Sequence, residues 1–392
     1  MKTRYFNLLI LTISLLCGIQ MKAFATNDEE SITLNVPEDG ITTFSCDVAL
    51  DFSGVKDVQA FFCSGINDDE ELVLVPVEGT VPAGTGLCVR ANEGKYNIPV
   101  VEEAEEIDQE NYLLPALKNM TNVVPEQGMM NYVLKNGKFH KTVLMTLEAG
   151  KAYVTLPYDA TRRARGVKTD DSGYDIHVAD EYTLNFVPVG DYKYATVCLP
   201  WKSWVSNKWE GGYLVNWDGT YACMTKLIGQ LIPSNTAIII RKTNNDDQTE
   251  TATIRESGSW PPTGNDFTAN RLVGYDEDTE ITGSSSVAYY SLNYETVDDV
   301  RVLGFYAPKG SNNDAHGSFT AKAQKAYLRL VTSADAKSIN IVWEGDIPTT
   351  ISDVYNADKN ANVGTMLNVA GQIVEKDYKG VVIINGKKYL NK

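Results

Sequence analysis

The sequence predicts an all-β protein with two tandem, related β-sandwich or open-barrel modules and a small C-terminal β-meander. Short runs such as Ser31–Val36 alternate apolar and polar residues, as half-buried strands do. Turn residues separate these runs roughly every 8–12 residues, a spacing typical of sandwiches and barrels. No segment keeps helical periodicity over several turns, and only residues 113–120 are expected to form a short helix or turn.

The N-terminus has the three parts of a secretory signal peptide. Lys2 and Arg4 provide positive charge, residues 8–16 form a short apolar segment, and an Ala-Phe-Ala sequence ends at Ala25. We therefore expect cleavage after Ala25 and a mature chain that is secreted, extracellular or on the outer cell surface. Lipidation at Cys17 is the alternative. No later segment has the ~18 consecutive apolar residues of a transmembrane helix.

The composition limits the partners of the chain. Apolar residues make up 43% of the 392 residues, which is enough for sizeable cores and argues against wholesale disorder. The net charge is −16, whereas nucleic acids and anionic membrane surfaces require a basic protein surface. We therefore expect neither as a partner, and the acidic runs are interpreted as solvated loops.

The mature chain keeps five cysteines, and their pairing is left open by the sequence. Export permits disulfides, but an odd number leaves at least one thiol unpaired. The spacing matches neither a Cys-x-x-Cys motif nor a zinc site. Most lie in strand-like runs, which indicates buried apolar side chains, and a structural disulfide within module 1 is the alternative. The five are Cys46, Cys63, Cys88, Cys198 and Cys223.

Similar segments recur in the same order, which indicates an internal duplication. The offset between the copies grows from 150 to 174 residues, mainly where the second copy has longer polar loops. Such insertions are tolerated because loop-closure entropy rises only logarithmically with length. The matched pairs are Ser31–Val36 with Tyr182–Phe186, Thr43–Cys46 with Ala195–Cys198, Val81–Arg90 with Ile232–Arg241, Tyr132–Leu134 with Tyr290–Leu292, and Lys151–Leu156 with Lys325–Leu330.

The repeat divides the mature chain into four parts. We expect module 1 over residues 26–160, a linker over 161–178, module 2 over 179–346, and a linker with a β tail over 347–392. The first linker is polar and contains an Arg-Arg-Ala-Arg sequence, which is either an ordinary charged linker or a site for a trypsin-like protease.

The C-terminal tail predicts a small β-meander. Asn385-Gly386 between strand-like flanks is a strong hairpin signal, because type I′ turns need positive φ at both central residues. Ala370-Gly371 marks a second turn. A sheet this small is not stable alone, so the tail is expected to dock on something or to be recognised while flexible.

The tail has a distinctive series of residues, which are Leu367, Asn368, Gly371, Gln372, Lys379, Gly380, Val381–Ile384 and Asn385–Lys388. With this series the tail resembles the C-terminal sorting domains of secreted and cell-surface proteins of Bacteroidota that use type IX secretion, although it is shorter than the full family domain. Through Phe305-Tyr306 and residues 325–328, the modules also resemble a β repeat found in the same proteins. The resemblance implies export and engagement of sorting or anchoring machinery by residues 365–392, and it implies no activity.

No catalytic or cofactor motif stands out. His140, His177 and His316 are scattered, and there is no phosphate-binding loop, dinucleotide fingerprint, metalloprotease motif or calcium loop. We therefore expect no enzyme, no cofactor and no metal site. A secreted hydrolase is the less favoured alternative, because paired carboxylates on separate segments cannot be recognised from sequence.

An enrichment in tryptophan within module 2 suggests a binding site. Several tryptophans fall close together in module 2, and exposed aromatic faces stack on sugar rings or anchor protein contacts. The sequence therefore predicts a non-catalytic extracellular or cell-surface protein of binding or structural type, and the alternative is a carbohydrate-binding protein. The candidate glycan- or partner-binding residues are Trp201, Trp204, Trp209, Tyr213 and Trp217.

Overall fold

The computed structural model describes six segments together with the backbone of four C-terminal strands; the segments are residues 30–157, 173–244, 250–258, 264–297, 299–332 and 336–344. The predicted cleavage at Ala25, the alternative at Cys17 and the Arg-Arg-Ala-Arg sequence lie outside the described residues. Every element in the described part is a strand, which confirms the all-β fold. No helix that could cross a membrane occurs there. The chain divides into two compact units between Ala179 and Asp180.

Module 1, which ends at Ala179, is built from short strands. They are β1 Ser31–Val36, β2 Ile41–Phe44, β3 Ala49–Asp51, β4 Val58–Ile66, β5 Leu72–Pro76, β6 Thr80–Val81, β7 Leu87–Ala91, β8 Gly94–Val101, β9 Leu113–Ala116, β10 Met120–Val123, β11 Met129–Lys135, β12 Lys138–Thr142, β13 Met145–Leu147, β14 Lys151–Pro157 and β15 Ile176–Val178.

A central sheet of module 1 is covered on both faces. Its strand order is β15-β5-β4-β7-β2, and a second sheet, β12-β11-β14-β9, packs on one face. The small sheet β1-β8-β3-β6 packs on the other face. We call the core beneath the small sheet the first core and the core beneath the second sheet the second core. Because both faces are buried, β4 is buried at every residue from Ala60 to Ile66.

Module 2, which begins at Asp180, has a closely similar set of strands. They are β16 Glu181–Asn185, β17 Val187–Val189, β18 Tyr192–Val197, β19 Ser203–Trp204, β20 Gly211–Trp217, β21 Ala222–Lys226, β22 Leu231–Ile232, β23 Ile238–Thr243, β24 Thr251–Glu256, β25 Leu272–Gly274, β26 Thr279–Thr282, β27 Val287–Val297, β28 Val300–Tyr306, β29 Ser318–Ala321, β30 Ala326–Val331 and β31 Ser338–Trp343.

The strand pairings of module 1 recur in module 2. The central order β5-β4-β7-β2 becomes β21-β20-β23-β18, and the second sheet β12-β11-β14-β9 becomes β28-β27-β30-β25. The registers also agree, since Phe61 lies opposite Cys88 as Tyr213 lies opposite Ile239. Apart from β17, which has no counterpart beside β2 in the described residues, the strands of the two modules correspond, as the sequence predicted.

The last strand of each module joins the two large sheets. In module 1, β15 pairs in parallel with β5, and Tyr174 just before it bridges Phe139 of the second sheet. In module 2, β31 pairs in parallel with β21 and antiparallel with β28. Ile176–Val178 therefore belongs to module 1 and not to the linker predicted over 161–178. The run is too short to be recognised as a strand from sequence, and it forms because Ile176 and Val178 pack on the second core.

Two other sequence predictions are corrected. The segment expected to form a short helix or turn instead begins with β9, because its backbone pairs with β14 of the second sheet. The match of Cys46 with Cys198 is wrong by one residue. The Ser45 amide donates to Gly150 and the Cys198 amide donates to Gln324 at the equivalent turn, so Ser45 is the counterpart of Cys198.

The C-terminal tail forms a four-stranded sheet in the order β33-β32-β34-β35. Ile384 pairs with Lys387, which leaves Asn385-Gly386 as the two-residue connection predicted from the sequence. Leu367 pairs with Ile373 across the predicted Ala370-Gly371 turn. The strands are β32 Met366–Asn368, β33 Ile373–Val374, β34 Gly380–Ile384 and β35 Lys387–Asn391.

Trypsin cleavage after Arg165 in the Arg-Arg-Ala-Arg linker should yield two fragments, residues 26–165 and 166–392, that remain associated in native buffer. The reason is that β15 lies beyond the cut but is paired with Leu72–Leu74 of module 1. Size-exclusion chromatography should show one peak, and a denaturing gel should show two bands. The Val178→Asp variant places a charge against the second core and should let the fragments separate. Separation of the parent fragments, or a linker that resists trypsin, would contradict this arrangement.

Candidate ligand-binding groove of module 2

The aromatic residues singled out in the sequence separate onto two cores. Trp201 and Trp209 pack on the first core of module 2, whereas Tyr213 and Trp217 of β20 face the second core. Trp204 of β19 has an indole Nε1 that is buried without a hydrogen-bond partner in the described part of the chain. The structure therefore does not bring these side chains into one surface, because Trp201 and Trp209 lie in segments before β20 that pack on the first core, whereas Tyr213 and Trp217 share the face of β20 that packs on the second core.

The side chain of Tyr213 is packed in the second core of module 2. Only 3% of its surface is exposed, and burial raises the pKa of its hydroxyl. The guanidinium carbon of Arg241 lies 4.4–4.8 Å from three ring centroids, those of Tyr192, Tyr213 and Trp343. Glu210 approaches the same guanidinium at 3.6 Å. This cluster of rings around a paired cation stabilises the module and leaves no aromatic face of Tyr213 for a ligand.

Trp217 borders a groove in the part of module 2 that the structure describes. The groove has a volume of about 250 Å³ and lies where β20 ends beside β25 and β30. No carboxylate, histidine or cysteine is among its lining residues. The lining residues are Trp217, Asn270, Arg271, Val273, Arg329, Leu330 and Val331.

Asn270 positions the chain at the floor of the groove. Its Oδ1 accepts hydrogen bonds from the Val215 amide at 3.1 Å and the Leu272 amide at 3.3 Å. Its Nδ2 donates to the Ala237 carbonyl at 2.8 Å. One amide side chain thus satisfies three backbone groups where the chain passes from the central sheet to β25.

Asn111 makes the same three bonds in module 1. Its Oδ1 accepts from the Cys63 amide at 3.1 Å and the Leu113 amide at 3.0 Å, and its Nδ2 donates to the Gly86 carbonyl at 2.8 Å. The asparagine is therefore required by the fold, and Asn270 is not a specific mark of ligand binding. The segments matched between the two copies in the sequence do not include Asn111 and Asn270, because the residues that flank them differ.

Arg271 and Arg329 are held on adjacent strands. The Arg329 amide donates to the Arg271 carbonyl at 2.9 Å, one residue beyond the Leu272–Leu328 pair. The Arg329 Nε contacts the Tyr289 hydroxyl at 3.3 Å. Burial raises the pKa of the nearby Tyr275 hydroxyl to about 12, and the interaction of Tyr275 with Tyr289 raises this pKa as well. Both arginine side chains are exposed at the groove.

The duplicated fold shows which groove residues are dispensable for folding. Ile66 ends β4 opposite Leu72, as Trp217 ends β20 opposite Ala222. The Tyr112 amide donates to Cys63 as the Arg271 amide donates to Val215, and Thr155 bonds to Tyr112 as Arg329 bonds to Arg271. Module 1 thus carries Ile66, Tyr112 and Thr155 where module 2 carries Trp217, Arg271 and Arg329.

Sequence reasoning missed the two arginines. They lie far apart in the chain and match no motif, although a position-by-position alignment of the two copies would have shown cations that replace a Tyr and a Thr. Together with Trp217 they offer an aromatic face beside guanidinium donors. Such a groove can stack on the apolar face of a ring and donate hydrogen bonds to its oxygens.

The five cysteines are unpaired in the structure. Cys63 and Cys88 are buried in the second core of module 1, and burial raises the pKa of each thiol to about 12. Burial raises the pKa of Cys198 to about 11. These three are buried apolar side chains, as expected from the sequence. Cys46 and Cys223 are half-buried, and the disulfide alternative in module 1 is not formed.

The thiol reactivity of the native mature chain should follow this burial. Cys63, Cys88 and Cys198 should not react with a disulfide reagent at mildly alkaline pH, because a raised pKa leaves almost no thiolate and burial blocks access. Only Cys46 and Cys223 should react, and slowly. All five should react in guanidinium. A count of three in guanidinium without reductant would reveal a disulfide and contradict the structure.

Replacement of Asn111 by Ala should lower the free energy of unfolding by roughly 2–4 kcal/mol, because two buried amides and a carbonyl lose their partner. The matched control is Asn97→Ala, which removes an exposed bond to Thr33 and should change stability by less than about 0.5 kcal/mol. Chemical denaturation followed by circular dichroism measures both. Equal effects of the two substitutions would remove the structural role assigned to Asn111.

Comparison of the chain with protein-family models, curated proteins and solved structures finds no match. No relative therefore supplies a ligand or an activity for module 2. The assignment of the groove rests on its own residues and on the contrast with module 1.

Proposed function

We propose that this chain is a non-catalytic protein of the cell exterior whose second module binds a saccharide in the groove beside Trp217. The observation that carries the proposal is the placement of Trp217, Arg271 and Arg329 in one groove, at positions that the same fold fills with Ile66, Tyr112 and Thr155 in module 1. The difference between the two copies supports a role for these three residues beyond folding.

The groove suits a sugar for two reasons. An indole face packs against the C–H groups of a pyranose ring, which are apolar and desolvate easily. The guanidinium groups of Arg271 and Arg329 are rigid forks of N–H donors that match the oxygen-rich edge of the same ring. The lining has no carboxylate pair, which supports binding rather than hydrolysis.

An exterior location is part of the proposal. The N-terminal signal-peptide pattern with cleavage after Ala25 supports export. The resemblance of residues 365–392 to sorting domains supports engagement of the export or anchoring machinery. In this arrangement the tail directs the protein to the cell exterior, and module 2 exposes the groove to extracellular saccharides.

The proposal is tested by a glycan array with the mature chain, followed by affinity measurement for the best oligosaccharide. The variant Trp217→Ile installs the residue that module 1 tolerates at the same position, so folding should be preserved. Loss of the stacking face should weaken binding about tenfold, which corresponds to about 1.4 kcal/mol. A circular dichroism melt of the variant checks that the fold is intact.

The matched control is Trp209→Phe. Trp209 packs edge-on against Phe186 in the first core, away from the groove, and its replacement should leave saccharide affinity unchanged. Failure of the mature chain to bind any saccharide on the array would overturn the proposal. So would an unchanged affinity in a folded Trp217→Ile variant.

A further inference from the structure

The strongest unexplained feature of module 2 is a pair of like charges placed opposite each other. Leu272 pairs with Leu328, and Arg271 and Arg329 are the next residues on the two strands, with an amide-to-carbonyl bond of 2.9 Å between them. Directly opposite residues on antiparallel strands project to the same face, so the two guanidinium groups extend to the same side of the sheet. Like charges in this position are destabilising.

Neither arginine is neutralised within the described residues. No carboxylate there lies within 4.0 Å of Arg271 or Arg329, whereas Arg241 pairs with Glu210 at 3.6 Å and Arg255 pairs with Glu181 at 2.7 Å. The chain has a net charge of −16, so carboxylates are abundant elsewhere. The two arginines therefore share one groove without a carboxylate partner among the described residues.

The fold does not need this pair. The equivalent residues of module 1 are Tyr112 and Thr155, which are neutral and make the same backbone bond. The repulsion in module 2 is thus not a consequence of the topology. It would be removed by an anion bound between the two guanidinium groups, because a carboxylate or sulfate accepts bidentate hydrogen bonds from each fork.

We infer that the saccharide bound in the groove is anionic, and that Arg271 and Arg329 bind its carboxylate or sulfate group while Trp217 packs on the ring. The inference rests on the proposed function and specifies the ligand class. The bond from Arg329 Nε to the Tyr289 hydroxyl orients that guanidinium and leaves its terminal nitrogens for the ligand. Uronic acids and sulfated sugars share this chemistry.

The test measures the affinity of the mature chain for size-matched oligomers of neutral dextran, dextran sulfate and polygalacturonate. The variants Arg271→Tyr and Arg329→Thr install the residues of module 1. Each should weaken binding of the anionic oligomers about tenfold or more, and together they should abolish it. Binding of the parent should weaken as salt is raised, because screening acts on the charge contacts. The two anionic oligomers show whether carboxylate or sulfate is preferred.

Two controls distinguish specific binding in the groove from a general effect of net charge on affinity. Arg301→Thr removes one positive charge from the β27–β28 hairpin, where Arg301 lies over the Tyr294 ring at 4.6 Å, and should leave affinity unchanged. The melting temperature of Arg271→Tyr and Arg329→Thr should stay the same or rise, since repulsion is removed. Anionic oligomers should raise the melting temperature of the parent and not that of the double variant.

The results that would overturn the anionic-ligand inference differ from those that would overturn saccharide binding. Equal affinity for neutral and anionic oligomers, unchanged in both arginine variants, would overturn this inference and leave saccharide binding in place. Absence of binding to every oligomer and to the glycan array would overturn both. Full competition by inorganic sulfate together with no effect of Trp217→Ile would show a simple anion site and would overturn the assignment of a saccharide.

Discussion

The central sheet of each module is covered on both faces, and most other features of the chain depend on this constraint. A strand in such a sheet has no side open to water, which is why β4 and β23 consist of nearly unbroken buried residues. Backbone groups at the exits from the sheet must also be satisfied without water. Asn111 and Asn270 meet that requirement with three hydrogen bonds each. The groove of module 2 lies at the ends of such strands.

Local patterns were enough to predict the class of fold. Alternation in Ser31–Val36 and the Asn385-Gly386 turn each report a short-range preference, and both correspond to elements of the structure. Elements that form through distant contacts were not predictable. Leu113–Ala116 is a strand because β14 pairs with it, and its Pro115 is tolerated because β9 is an edge strand. Ile176–Val178 is likewise a strand only in the presence of β5.

The candidate site was only partly predictable, for a geometric reason. Tryptophans close in sequence suggested one surface, but they lie on separate segments that pack on different cores. Only Trp217 lies at the groove. Arg271 and Arg329 come together through the pairing of β25 with β30, which the sequence does not specify. The internal duplication allows a comparison of the two copies. Module 1 forms the same strand pairing with Tyr112 and Thr155, whereas module 2 has two arginines at these positions.

The parallel closing strand has a consequence for the order in which the protein folds. A chain that emerges N-terminus first exposes β5 long before Ile176–Val178 arrives to pair with it. Until then β5 is an unpaired edge strand of the central sheet, and unpaired edges are templates for adding foreign strands. Contacts between residues so distant in sequence also form slowly. Closure of the central sheet of module 1 therefore waits for Ile176–Val178, which follows every other described strand of that module in the chain.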